Sequence, residues 1–137
     1  MSIDSQLYRY ANKEATAWRL AGSNSANLGV GPSGHAERAL FTTRQNELLL
    51  KMALFVQNAY PCTGCHNFFL EQSLRGFSII VKVTADRGSY GAEHGFMLNS
   101  SPVPAIFYYR HGQSRIVTMT DRAPLPGFPA VPDFDEL

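Results

Sequence analysis

Apolar positions change their period along this chain, and each change marks an element. From His35 to Leu50, Ala36, Ala39, Leu40, Leu48 and Leu49 recur at spacings that suit one stripe of a helix. Lys51 to Ala59 carries the unbroken run Met52-Ala53-Leu54-Phe55-Val56, which predicts a buried strand. Pro61 to Leu74 returns to helical spacing, with Phe68, Phe69 and Leu74 expected against a sheet and Gly76 as the stop. Phe77 to Thr84 is dense in β-branched residues and predicts a strand. Ala105–Arg110 and Arg115–Thr120 read as two more strands, joined as a hairpin through His111-Gly112-Gln113-Ser114.

The remaining segments are less regular. Met1 to Lys13 is polar apart from a few residues such as Leu7, Tyr8 and Tyr10, and reads as a short helix or an ordered arm. Glu14 to Ala21 reads as a first strand. Gly22 to Gly34 is rich in Gly, Ser and Asn, with a short second strand at Leu28 and Val30 between turns. Ala85 to Pro104 is long and irregular, which in a compact domain marks a functional loop or a hidden short helix. From Ala123 to Leu137, four prolines among acidic residues predict an extended tail. Helices alternating with strands predict an α/β fold, a three-layer α/β/α sandwich with a central mixed sheet and a C-terminal β-hairpin.

Composition narrows the function classes. A length of 137 residues fits one domain, spanning 1–137. The formal net charge of +1 argues against a broad nucleic-acid-coating surface but leaves room for a local groove. Two cysteines, both in one Cys-x-x-Cys, exclude a disulfide scaffold. Met1 to Tyr10 has no apolar core of a signal peptide, and no apolar run is long enough to span a bilayer.

The candidate chemistry lies between Gly34 and Cys65. His35-Ala36-Glu37 opens one predicted helix, and Pro61-Cys62-Thr63-Gly64-Cys65 opens another. Catalytic zinc takes three nitrogen or thiolate ligands and keeps a fourth position for water. His35, Cys62 and Cys65 can supply the three, and bound Zn²⁺ lowers the pKa of water towards neutrality. Cys62 and Cys65 are three apart and share one helical face. Pro61 suits a helix entrance, where its missing N–H costs nothing. Two helix N-termini aimed at the metal would favour the thiolates.

His-x-Glu followed by Pro-Cys-x-x-Cys resembles the cytidine deaminase-like superfamily of zinc enzymes. With the Gly-rich approach to His35 and the C-terminal hairpin, the chain looks most like the bacterial polymorphic-toxin branch, and within it the SsdA-like deaminases of single-stranded DNA. The resemblance implies a shared core from about Glu14 to Thr120. It implies Zn²⁺ on His35, Cys62 and Cys65, with Glu37 as a proton shuttle rather than a ligand. It implies substrate contacts from Asn24 or Asn27, from the N–H of Ala36 and from the carbonyl of Tyr60, whose ring is also a stacking candidate. Tyr90, His94 and Phe96 are candidates for a substrate channel, and Arg38, Arg87 and Arg110 for phosphate contacts. It further implies cytosine in single-stranded DNA as substrate, a neutralising immunity protein, and a monomeric domain of a secreted effector acting in the target-cell cytoplasm, with no membrane partner.

Two rivals use the same residues. A thioredoxin-like oxidoreductase would use Cys62 and Cys65 as a redox pair, with Val103-Pro104-Ala105-Ile106-Phe107 as the Pro-led strand facing them. It leaves His35-Ala36-Glu37 as an accident. A non-enzymatic module with structural zinc would need a fourth ligand, His66 or His94, and leaves Glu37 without a role.

Overall fold

Two strands with unbroken apolar runs form the centre of the sheet. β3 (Met52–Gln57) and β4 (Ser78–Val83) are parallel neighbours, and Ala53, Leu54, Phe55 and Val56 face Ile79, Ile80, Val81 and Lys82 in register. Parallel neighbours need a crossover, and helix α2 (Thr63–Leu74) supplies it. The computed structural model describes residues 2–11, 18–27, 35–97 and 99–118.

Four antiparallel strands extend the centre into a six-stranded mixed sheet of order β2-β1-β3-β4-β5-β6. β1 (Ser2–Tyr10) pairs with β3 on one side and with β2 (Trp18–Asn27) on the other. β5 (Ala105–Arg110) and β6 (Gln113–Val117) form the expected hairpin at the opposite edge. Its turn is only His111-Gly112, both at positive φ (54° and 76°), the two-residue geometry whose twist matches the flanking strands.

Helix α1 (Ala36–Arg44) and α2 pack on one face of the sheet. Leu40 and Phe41 from α1 and Phe69 from α2 join Leu7, Phe55, Val81, Phe107 and Tyr109 in one cluster. On the other face Leu54, Val56, Ile80, Ile106 and Tyr108 form a second buried cluster, and no residue of a described helix belongs to it. The fold among the described residues is therefore mixed α/β, with its helices on one side.

Several sequence expectations change. The N-terminal segment is a strand, not a helix or arm: Ile3, Ser5 and Leu7 alternate inward. Ser5 hides the period because it is a buried polar residue, bonded to the Gln57 side chain at 3.2 Å. Gly22 to Asn27, read as turn, belong to β2; pairing with β1 overrides their weak strand propensity. Of the strand expected over Glu14–Ala21, residues 14–17 lie outside the described residues, as do Leu28, Val30 and the tail 123–137.

The helix from His35 stops at Arg44 rather than Leu50. Two short 3₁₀ turns, Gln45–Glu47 and Leu49–Lys51, carry the chain into β3. Leu50 and Lys51 take positive φ, which ends the helical period. Leu74, expected against the sheet, is 71% exposed and lies over the Gly112 turn. The long Ala85–Pro104 segment does hide a short helix, a 3₁₀ stretch at Tyr90–His94.

Candidate metal centre

Both motifs open helices, as their residue types require. Cys62 is the N-cap of α2, and its sulfur accepts a hydrogen bond from the N–H of Cys65 at 3.4 Å. His35 is the N-cap of α1 and makes no side-chain capping bond, so its imidazole is free to turn elsewhere. It turns to the cysteines. His35 Nδ1 lies 3.5 Å from Cys62 Sγ and 3.1 Å from Cys65 Sγ, and the three ligand atoms fall within 4.8 Å of one another.

This geometry fits zinc. With Zn–S near 2.3 Å and Zn–N near 2.0 Å, the edges of a ligand tetrahedron are about 3.5–3.8 Å. The His35–Cys separations of 3.5 and 3.1 Å are close to that. His66 and His94 do not complete a four-ligand site. His66 Nδ1 meets the Tyr109 hydroxyl at 2.7 Å, and His94 Nε2 meets the carbonyl of Pro61 at 2.6 Å. Among the described residues the cluster has three members, which leaves a coordination position open.

The two thiols are not equivalent. The Cys65 side chain donates to Cys62 and lowers its pKa to about 6, against the cost of burial; the Cys65 N–H and His35 add to the lowering. The same hydrogen bond raises Cys65, and burial and the Glu37 carboxylate raise it further. Both sulfurs bind a metal as thiolates, so any proton on Cys65 must leave on binding.

Glu37 stands beside the cluster without joining it. It is 4% exposed, and its Oε1 accepts from Cys65 Sγ at 3.3 Å. Its Oε2 accepts from Gln57 Nε2 at 2.7 Å. A carboxylate this buried needs donors. Gln57 is one that the motifs did not reveal; the available signal was a polar residue ending the apolar run of β3.

The expected substrate contacts are distributed unevenly. Ala36 is the first residue of α1, and its N–H has no partner within the helix. Asn24 lines a cleft of about 420 Å³ with Asp4, Ser5, Gln6, Ser23 and Ser25. Its side-chain oxygen accepts from the N–H of Ser25 at 2.9 Å. Asn27 ends β2, and its side chain lies outside what is described.

Tyr60 is 1% exposed. Its ring packs against His94, Phe96 and Phe107, and its hydroxyl donates to the carbonyl of Pro102. The ring is core rather than a stacking platform. His94 and Phe96 share that packing, and Thr63 Oγ1 donates to Glu93 at 2.8 Å, so the 85–104 segment is fastened over the start of α2.

Among the arginines, Arg38 lies over the first turn of α2, beside Gly64. A Cβ on Gly64 would come within 3.1 Å of its Nη2, so glycine makes room for the guanidinium there. The Nε of Arg38 is buried and has no hydrogen-bond partner. Arg87 is exposed, whereas Arg110 is already engaged with other groups. No helix among the described residues is long and apolar enough to cross a membrane. No protein-family model, curated protein or solved structure matches the chain.

Proposed function

We propose that the protein is a zinc-dependent deaminase of the cytidine deaminase-like superfamily, converting cytosine to uracil with release of ammonia. One observation carries the reading: a buried carboxylate, Glu37, sits 3.3 Å from a cysteine of a three-residue cluster that can hold zinc, yet is not part of it. Structural zinc needs four protein ligands and no such acid.

Zinc held by His35, Cys62 and Cys65 would supply a Lewis acid that brings the pKa of water towards neutrality. The chain's own groups do the rest. Oε1 of Glu37 takes the proton of the attacking water, passes it to the ring nitrogen, and a second proton leaves with the amine. The N–H of Ala36 and the carbonyl of Tyr60 hold the base edge. Asn24 reaches the sugar from its cleft, which is of a size for a small ligand. Two hydrogen bonds, Ser5 to Gln57 and Gln57 to Glu37, link that cleft to the acid.

The substrate in this reading is cytosine in single-stranded DNA, which spares the few kcal/mol needed to extrude a paired base. A near-neutral chain with Arg38 beside the cysteine motif and an exposed Arg87 suits a short grip on a few phosphates. The same reading carries the toxin setting, with an immunity protein as partner and the target-cell cytoplasm as the place of action. It also carries the three-layer sandwich, whose third layer would cover Leu54, Val56, Ile80, Ile106 and Tyr108; their burial supports a covered face.

The test is to score uracil in matched single- and double-stranded oligonucleotides, single-stranded RNA and free cytidine. Uracil in single-stranded DNA above all is expected. Preference for free cytidine moves the protein to nucleoside chemistry, and deamination of adenine or guanine overturns the base assignment.

A second reading, thiol–disulfide exchange, is favoured by the placement of Cys62 as the N-cap of α2 with Cys65 one turn on, where the Cys65 side chain draws the Cys62 thiol down to about 6. Metal content separates the two, since a redox dithiol holds no stoichiometric zinc.

A further inference from the structure

We propose that Gln57 is the positioning residue for Glu37, fixing which carboxylate oxygen works on the substrate; this rests on the deaminase reading. Gln57 is fully buried at the end of β3. A buried side-chain amide needs partners for both its ends, and this one has them. Its Nε2 donates to Glu37 Oε2 at 2.7 Å and to the carbonyl of Ala59 at 2.9 Å, while its Oε1 accepts from the Ser5 hydroxyl at 3.2 Å. The Glu37 carboxylate and the Ala59 carbonyl, which can only accept, set the amide's orientation, and the Ser5 hydroxyl supplies the donor its oxygen needs.

The platform beneath it is rigid. Gln57 pairs with Ser5 on β1 and with Val83 on β4, and its own carbonyl accepts from the N–H of Thr84 at 2.8 Å and from the Thr84 hydroxyl at 3.1 Å. A donor on a strand paired along both edges thus holds a carboxylate on a neighbouring helix. At 2.7 Å the bond from the amide to the carboxylate lies at the short end of the usual range. The two oxygens of Glu37 then have separate tasks. Oε2 is tied to the sheet, and Oε1 faces the cysteine cluster and carries the protons. The reaction needs one acid to serve several proton transfers, so the carboxylate must stay in place through all of them.

The experiment combines a stability cycle with kinetics. Glu37→Ala, Gln57→Met and the double variant are unfolded thermally as purified, and Gln57→Met and Ser5→Ala are assayed on the single-stranded oligonucleotide. Gln57→Met is expected to lower Tm in the native background and much less in Glu37→Ala. Its kcat is expected to fall by about ten- to a hundredfold with KM and zinc content unchanged, since a slightly misplaced catalytic group costs about that much. Ser5→Ala, which leaves the buried amide oxygen without its donor and loosens the side chain, should show the same split with a smaller loss. Should Gln57→Met not fold, Ser5→Ala alone decides by its kcat. Additive Tm losses, or full kcat in a variant whose Tm is coupled, overturn the proposal. If the native protein deaminates nothing, the deaminase reading falls, and the cycle alone judges whether Gln57 pins Glu37.

Discussion

Cys65 Sγ and His35 Nδ1 lie 3.1 Å apart, although 30 residues separate them and they belong to different helix starts. Cys62 Sγ stands 3.5 Å from the same nitrogen. Three soft ligand atoms brought together by two helix N-termini predict about one zinc per chain on metal analysis. Cys65→Ser and His35→Ala should each lose the metal and lower Tm, because metal-binding energy is part of the folding energy. Full retention of both metal and Tm in either variant would remove the centre. Raising the pH from 5 to 7 should strengthen zinc binding, since Cys62, lowered to about 6, and Cys65, which is raised, both bind as thiolates and must lose their protons to the solvent.

Glu37 separates chemistry from metal binding. Glu37→Gln keeps the shape and an oxygen for Gln57 but cannot accept a proton as a carboxylate does. Zinc content should stay at the native level while turnover falls by at least about 10²-fold. A variant that retains turnover shows the proton to be carried elsewhere. One that loses zinc shows Glu37 to be a ligand.

Much of this was legible in the sequence because the motifs are local. His35, Glu37, Cys62 and Cys65 could be placed on helix starts by spacing alone, and the strands of β3 and β4 by their unbroken apolar runs. What was hidden was long-range. Ser5 and Gln57 are polar residues inside the core, satisfied by each other and by Glu37 across 52 and 20 residues of chain. No period reports such a pair, and Ser5 in addition disguised β1 as a polar arm. The weak strand formers of Gly22 to Asn27 extend β2 because β1 supplies their partners, which local propensity does not register. Tyr60 looked available for stacking because the sequence does not show that Phe96 and Phe107 close over it.

Gly91 holds the 85–104 segment in its folded path. Its N–H and that of Tyr90 both donate to the Asp86 carboxylate at 2.8 Å. A Cβ on Gly91 would press into the Ser101 side chain and come 2.8 Å from Asp86 Oδ2. Gly91→Ala should therefore destabilise by about 1–3 kcal/mol through overpacking. Gly95→Ala makes a useful contrast: nothing lies within 4 Å of its Cβ, and only its φ of +90° opposes the change. Urea midpoints of the two variants check this, and a harmless Gly91→Ala would show that the segment is not packed as described.

Tyr60 predicts a specific alkaline weakness. Burial, with the Asp86 carboxylate adding to it, pushes its phenol up to about 12, against about 10 in an unfolded chain. The folded state therefore holds the phenolic proton more tightly. The stability this confers is complete below about pH 10 and is lost as pH rises towards 12, by an amount on the order of 2–3 kcal/mol. In Tyr60→Phe there is no phenol to ionise. That variant should be less stable at neutral pH by about 1 kcal/mol, because the Pro102 carbonyl loses its donor. Between pH 10 and 12 its stability should fall less steeply than that of the native protein, and the two curves should converge and then cross. Lysines and other tyrosines titrate in both proteins, so the difference between the curves isolates Tyr60. Urea unfolding at half-unit steps from pH 8 to 12 measures it, and curves that stay parallel throughout would mean that the Tyr60 phenol is not held neutral by its burial.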